Sequence, residues 1–219
     1  MSLEKFKWMV DAQNKVNSVV SDKWIEKGKS LEFDFKLAAS QEMAEFFNSY
    51  GYSWWSKSPR DMPNAITEIV DAWHFIISEA IIEYGLEFAA TMLNNTYKAT
   101  YVCYLGQASD VRVKNHGKTL VSVLNSKNKT LELLAEFFLL TRSLDLSLDY
   151  LYLRYMGKNC LNVFRQENGY KLGTYAKMWD GLEDNHYLVE FLNTVKTDSL
   201  KYEDVHAFLT STYAAYNPR

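Results

Sequence analysis

Three prolines and nine glycines are all that interrupt 219 residues. A chain so poor in helix breakers and turn formers can run as long helices joined by few connections. Hydrophobic periodicity points the same way. From Leu3 to Val20 the apolar positions Phe6, Met9, Val10, Val16, Val19 and Val20 recur at helical spacing and do not alternate as in a strand. A short polar connection about Ser21 to Ser30 leads into a second helical pattern, Phe33 to Tyr50, with Gly51 placed to end it. Asp61 is positioned to cap a third helix with Pro63 in its first turn, and Ile66, Ile69, Val70, Trp73, Ile76 and Ile77 carry that helix to Tyr84.

Helical character returns from Phe88 to Tyr101. Between Gly106 and Gly117 it gives way to Gln107, Ser109, Asp110, Arg112, Lys114 and Asn115, so residues 85–129 are expected to form a loop-rich insertion. Thr130 is the expected cap of a further helix, and another spans about Leu148 to Gln166. Gly169 to Asn185 reads as a loop, and two short helices near Asp184–Asn193 and Tyr202–Tyr213 close the chain. With 47% hydrophobic and 15% aromatic residues, such a chain can bury one substantial core. The expectation is a single all-α domain over residues 1–219: a helical bundle built around a four-helix core, with an inserted loop and helix segment at about 85–129.

A formal charge of −3 argues against a protein that coats nucleic acid, because phosphate-backbone binding needs a net basic surface. No stretch approaches the ~20 uninterrupted apolar residues that cross a bilayer, and the first residues are amphipathic and lack the form of a signal peptide. The expected location is cytoplasmic, with neither membrane nor nucleic acid as a partner. Cys103 and Cys160 form no CxxC pair and are expected to be reduced, buried thiols.

The chemistry is suggested by four carboxylates. Glu42 and Glu45 sit three apart in the second helix, and Glu68 and Asp71 sit three apart in the third. That spacing puts each pair on one helical face, so the four can converge if the two helices pack antiparallel. Met43, Ala44, Phe46 and Phe47 hem the first pair, and Ile66, Ile69, Val70 and Trp73 the second. Carboxylates converging in apolar surroundings repel unless a hard cation neutralises them, and Mg²⁺, which takes a few carboxylate oxygens and completes its shell with water and phosphates, fits. On spacing alone, solvated acidic helix faces are an equal alternative.

Glu42-x-x-Glu45 followed 23 positions later by Glu68-x-x-Asp71 resembles the signature of the all-α nucleoside-triphosphate pyrophosphohydrolases. Three further segments are similar to the dimeric dUTPase branch: Trp54-Trp55, the run from Glu68 to Phe75, and a long stretch from Tyr155 through Gly157-Lys158-Asn159, Asn162, Phe164-Arg165-Gln166, Asn168-Gly169-Tyr170-Lys171 and Trp179 to Glu183-Asp184-Asn185. Recognisable segments cover roughly 9–80 and 145–190, and 85–129 matches none of them.

The resemblance implies Mg²⁺-dependent hydrolysis of dUTP to dUMP and pyrophosphate, with dUDP as a second substrate. It makes Glu42, Glu45, Glu68 and Asp71 the catalytic metal ligands, Glu42 being the candidate base. It points to Lys158, Asn162, Arg165, Tyr170, Lys171 and Lys177 for the phosphates, in a stretch with a local surplus of three positive charges. Gln13 and Asn17, four apart on the first helix, are the candidates for reading the uracil edge, joined at the base and sugar by Trp54, His74 and Asn185. A homodimer is implied as well, and the wide apolar spread of the third helix is compatible with it. Two alternatives stay open: a house-cleaning pyrophosphohydrolase acting on dCTP or non-standard nucleotides, and a helical interaction module without enzymatic activity.

Overall fold

The structure, a computed structural model, describes residues 2–55, 57, 59–103, 108–195 and 200–216. It is all-α apart from one short hairpin, and by packing it divides into two compact units, Met1–Leu151 and Tyr152–Arg219. No described helix is long and apolar enough to cross a membrane.

In the first unit α1 (Ser2–Val20) buries Phe6, Met9, Val10, Gln13 and Asn17, which recur at intervals of three and four on one face. The stretch expected to be a polar connection contains a short helix, α2 (Trp24–Lys29), held because the Trp24 indole is buried and stands edge-on to Phe35 at 5.8 Å. Asp34 caps α3 (Phe35–Ser49) by accepting from the Leu37 N–H, and Gly51 follows at a φ of 81°. Asp61 caps α4 (Met62–Cys103) through the Asn64 N–H, as its position before Pro63 suggests.

Although continuous in hydrogen bonding, α4 is two helices. Gly85 breaks it with φ 75° and ψ 162°, and Trp73 and Tyr97, twelve residues to either side, both touch Phe138 at ring-centroid distances of 5.4 and 5.5 Å. A straight helix would hold those two residues about 36 Å apart. The arms therefore fold back on each other as a helical hairpin, in agreement with a third helix ending at Tyr84 and a new one spanning Phe88 to Tyr101. The Gly85 conformation is nearly closed to side chains, and a Cβ there would meet nothing within 4 Å. Gly85→Ala is accordingly expected to lower stability by about 1–3 kcal/mol through backbone strain alone, measured as a reduced urea midpoint.

From Asp110 onward the expected loop is a helix, α5 (Asp110–Leu124); Gly106 and Gln107 lie outside the described residues. Ser109 caps it by accepting from the Arg112 N–H, and Val113, Gly117, Leu120 and Leu124 form its buried face. Gly117 sits in that face because α3 comes close: a Cβ would stand 2.9 Å from the Phe47 ring. In α6 (Thr130–Ser143) Thr130 is the first helical residue and does not act as the cap, and Lys129 in the cap position contributes no side-chain bond. The core lies where α1, α4 and α6 meet. There Trp73 stacks on Phe137 at 4.4 Å and sends its indole N–H to Met9 Sδ.

The unit boundary falls inside α7 (Leu148–Glu167). The second unit continues with a 3₁₀ turn (Tyr170–Leu172), the strands β1 (Met178–Trp179) and β2 (Leu182–Glu183), and the helices α8 (Asp184–Thr194) and α9 (Tyr202–Tyr216). Asp180 and Gly181, both at positive φ, make the two-residue turn that suits the right-handed twist of an antiparallel pair. Trp179, Phe164, Leu188, Leu192, Val205 and Leu209 are buried here. Cys160 is buried as expected, which pushes its thiol up to about 12, whereas the Cys103 side chain lies outside the described residues.

Candidate active site

Packing of α3 on α4 brings the carboxylates together. Ser49 meets Asn64 and Lys36 meets Glu79, so the two helices run antiparallel. Glu42, Glu68 and Asp71 each present an oxygen within 4.8 Å of the others. Glu68 is buried and accepts from Asn64 Nδ2 at 3.0 Å, and that amide also donates to Ser49 Oγ at 2.8 Å. At these separations each pair of like charges repels by about 3 kcal/mol even at an effective dielectric near 20. Three hard oxygen donors so arranged suit a divalent cation of the Mg²⁺ or Mn²⁺ type. Glu45 is exposed and not part of this cluster.

One turn further along α4, three residues expected at the base meet in a buried circuit. His74 Nδ1 lies 2.8 Å from Gln13 Oε1, Gln13 Nε2 donates to Asn17 Oδ1 at 2.9 Å, and Asn17 Nδ2 donates to Ser78 Oγ at 2.9 Å. Ser78 closes it by donating to the His74 carbonyl at 2.9 Å. Asn17 also lines a cavity of about 280 Å³ whose other walls are Val20, Trp24, Phe33, Asp34, Phe35, Ala38 and Phe75. Aromatic walls with two polar groups are the usual make-up of a small-molecule pocket. Sequence reasoning did not assign Trp24, Phe33, Phe35 or Phe75 to the site. Phe75 belongs to the matched Glu68-to-Phe75 run, and Phe33 and Phe35 flank the capping Asp34, which is the signal that was there to find.

Trp54 is not among the cavity walls. It lies 89% exposed on the loop after α3, edge-on to Trp55 at 5.6 Å. That loop is clamped to the start of α5. Arg60 donates through both terminal nitrogens to the Asp110 carboxylate at 3.1 and 3.0 Å, and Tyr50 OH donates to it at 2.8 Å. Tyr52 OH reaches the Asp110 carbonyl. The hydrogen bonds from Arg60 and Tyr50 hold the Asp110 carboxyl below its usual range, and burial, followed by the bond to Asp110, pushes the Tyr50 phenol up to about 12. A depressed carboxyl contributes above the ordinary carboxylate range and loses that contribution as pH falls through its lowered value. Asp110→Ala is expected to speed tryptic cleavage after Lys57 and Arg60 several-fold by raising the population of the open loop. An unchanged cleavage rate would show that the clamp does not hold it.

In the second unit the basic residues of α7 converge on the start of α8. Arg165 forks onto Asp184 through Nε and a terminal nitrogen at 2.8 and 2.7 Å, and Tyr175 OH donates to the same carboxylate at 2.8 Å. Asp184 is fully buried, and burial followed by its charge pushes the Tyr175 phenol well above its ordinary value. Lys158 Nζ donates to Asn185 Oδ1 at 3.0 Å, and Arg165 approaches Asn162 Oδ1 at 3.4 Å. The structure thus gathers Lys158, Asn162, Arg165 and Asn185. Tyr170 and Lys171 are exposed, and Lys177 pairs with Glu183 at 3.0 Å. Asp184, the carboxylate that orients this group, had been given no separate role on sequence grounds.

A family model described as dUTPase matches residues 5–170. The match runs straight through 85–129, which the motifs alone did not place, and ends before the Gly173-to-Asn185 segment. No curated protein sequence matches the chain. The matched residues hold the carboxylate cluster, the buried circuit and every wall of the cavity, and the chain belongs to the all-α, dimeric dUTPase family, enzymes that hydrolyse dUTP.

Proposed function

We propose that the chain hydrolyses dUTP to dUMP and pyrophosphate in a Mg²⁺-dependent reaction, accepts dUDP as well, and so limits the dUTP available for incorporation into DNA. The observation that carries the metal dependence is the approach of Glu42, Glu68 and Asp71 to within 4.8 Å. These three would hold the cation, with Glu45, one turn from Glu42 on α3, as the fourth proposed ligand. When bound, Mg²⁺ would offset phosphate charge and lower the pKa of a coordinated water. Glu42, less buried than Glu68, is the proposed proton acceptor.

Gln13, Asn17 and His74 are proposed to read the base in the aromatic cavity, with Trp54 and Asn185 as further base or sugar contacts. Lys158, Asn162, Arg165, Tyr170, Lys171 and Lys177 are the proposed phosphate ligands, a role supported by the grouping of four cations and amides about Asp184. The proposed setting is the cytoplasm.

A homodimer is proposed too, on altered support. Ile69, Val70, Trp73, Ile76, Ile77 and Ile81 are already buried within one chain, so the first arm of α4 needs no partner. The second arm leaves Phe88, Thr91, Asn95, Ala99 and Val102 exposed at intervals of three and four, an uncharged stripe that a two-fold related copy would cover. Pyrophosphate release from dUTP, dUDP, dCTP, dTTP and UTP, with Mg²⁺ and with chelator, tests the catalytic reading. Turnover of dUTP that survives complete chelation would refute the metal dependence.

A further inference from the structure

The buried circuit has a fixed direction. The His74 carbonyl can only accept, so the single proton of the Ser78 hydroxyl goes there, and Ser78 Oγ must accept from Asn17. Asn17 is thereby obliged to turn Nδ2 toward Ser78 and Oδ1 toward Gln13. Gln13 in turn must offer Nε2 to Asn17, leaving Oε1 to face His74, whose Nδ1 carries the proton. An amide flipped end for end has nearly the same shape, and here one backbone carbonyl decides which way two of them point. Ser78 is the link between that carbonyl and the amides, and it is completely buried on α4, outside the cavity walls.

Asn17 alone of the four lines the cavity. After its bonds to Gln13 and Ser78 it retains one N–H and one oxygen lone pair, a donor and an acceptor in a set order. The Watson–Crick edge of uracil offers an N–H beside a carbonyl oxygen. Cytosine places a ring nitrogen acceptor and an exocyclic amine donor at the same two places. An amide held one way matches one of these orders, and the same amide flipped matches the other.

We propose that Ser78 is a positioning residue that locks the Asn17 amide in one orientation and thereby sets the preference for uracil over cytosine nucleotides. The inference rests on Asn17 reading the base, as proposed above. The test compares dUTP and dCTP turnover in the wild type, Ser78→Ala and Asn17→Ala, each checked for folding by its thermal transition. The wild type should reject dCTP, and Ser78→Ala should raise the dCTP:dUTP ratio of kcat/KM by about tenfold, mostly through KM. A Ser78→Ala enzyme that loses kcat/KM equally for both substrates, or a wild type indifferent to the base, overturns the proposal. Failure of the underlying reading looks different: Asn17→Ala would then leave KM for dUTP unchanged.

Discussion

Asp71→Asn is expected to slow dUTP hydrolysis by about 100- to 1000-fold, the effect of removing several kcal/mol of cation-borne stabilisation from the transition state. The substitution keeps the shape of the side chain and removes one of the three charges that meet within 4.8 Å. Its effect on the cation-free fold should have the opposite sign. Relief of like-charge repulsion is expected to leave the thermal midpoint unchanged or higher, while the extra stability conferred by Mg²⁺ is lost. Glu45→Gln should slow turnover in the same direction if that side chain joins the cluster. A folded Asp71→Asn enzyme with near-normal turnover would remove the basis of the metal assignment.

The second large effect is expected in stability. Asp184→Ala strands the Arg165 guanidinium, 11% exposed, without its buried carboxylate, and breaking a buried ion pair from one side typically costs about 3–5 kcal/mol. Tyr175 OH and the Asn185 N–H lose an acceptor at the same time. The loss should be read by hydrogen exchange as weakened protection within residues 152–216. The double variant Asp184→Leu, Arg165→Met is expected to recover part of it, because an apolar pair of similar volume leaves no buried charge. Additive losses in the double variant would mean that the two side chains are not coupled.

What could be read from the chain beforehand follows from where the information lies. α1 and α7 declare themselves through apolar stripes, α3 and the first arm of α4 through stripes together with local caps, and the hairpin at Gly85 separates two stripes that were distinct in sequence. α5 was missed because Gly117, a breaker by local rules, is buried against Phe47 of another helix. Its stripe is complete only once that distant ring is known. The same division holds at the site. Spacing made Glu42, Glu45, Glu68 and Asp71 candidates, with solvated helix faces an equal alternative until the resemblance was added, and the four-residue separation of Gln13 and Asn17 put on one face two amides that bond to each other. Spacing could not show that Glu45 lies outside the trio of carboxylates that meet here, nor that the cavity is walled by Trp24 of the short α2, Phe33 of the bend before α3, Phe35 at the start of α3 and Phe75 midway along the first arm of α4. Nor could it identify Ser78, whose importance lies in the direction of a hydrogen-bond circuit and not in any pattern of residue types.

Asp71, His74, Phe75 and Ser78 share one uninterrupted piece of α4, and a helix is a ruler. Along that axis the circuit begins at His74, about 4.5 Å from Asp71, and ends at Ser78, about 10 Å from it, with little room to stretch. Inserting or deleting a single residue between them would turn one set of side chains by about 100° relative to the other. The constraint on this segment is therefore one of length as well as of composition: a substitution along it leaves the spacing intact, but a gain or loss of one residue would separate the carboxylates from the circuit at once.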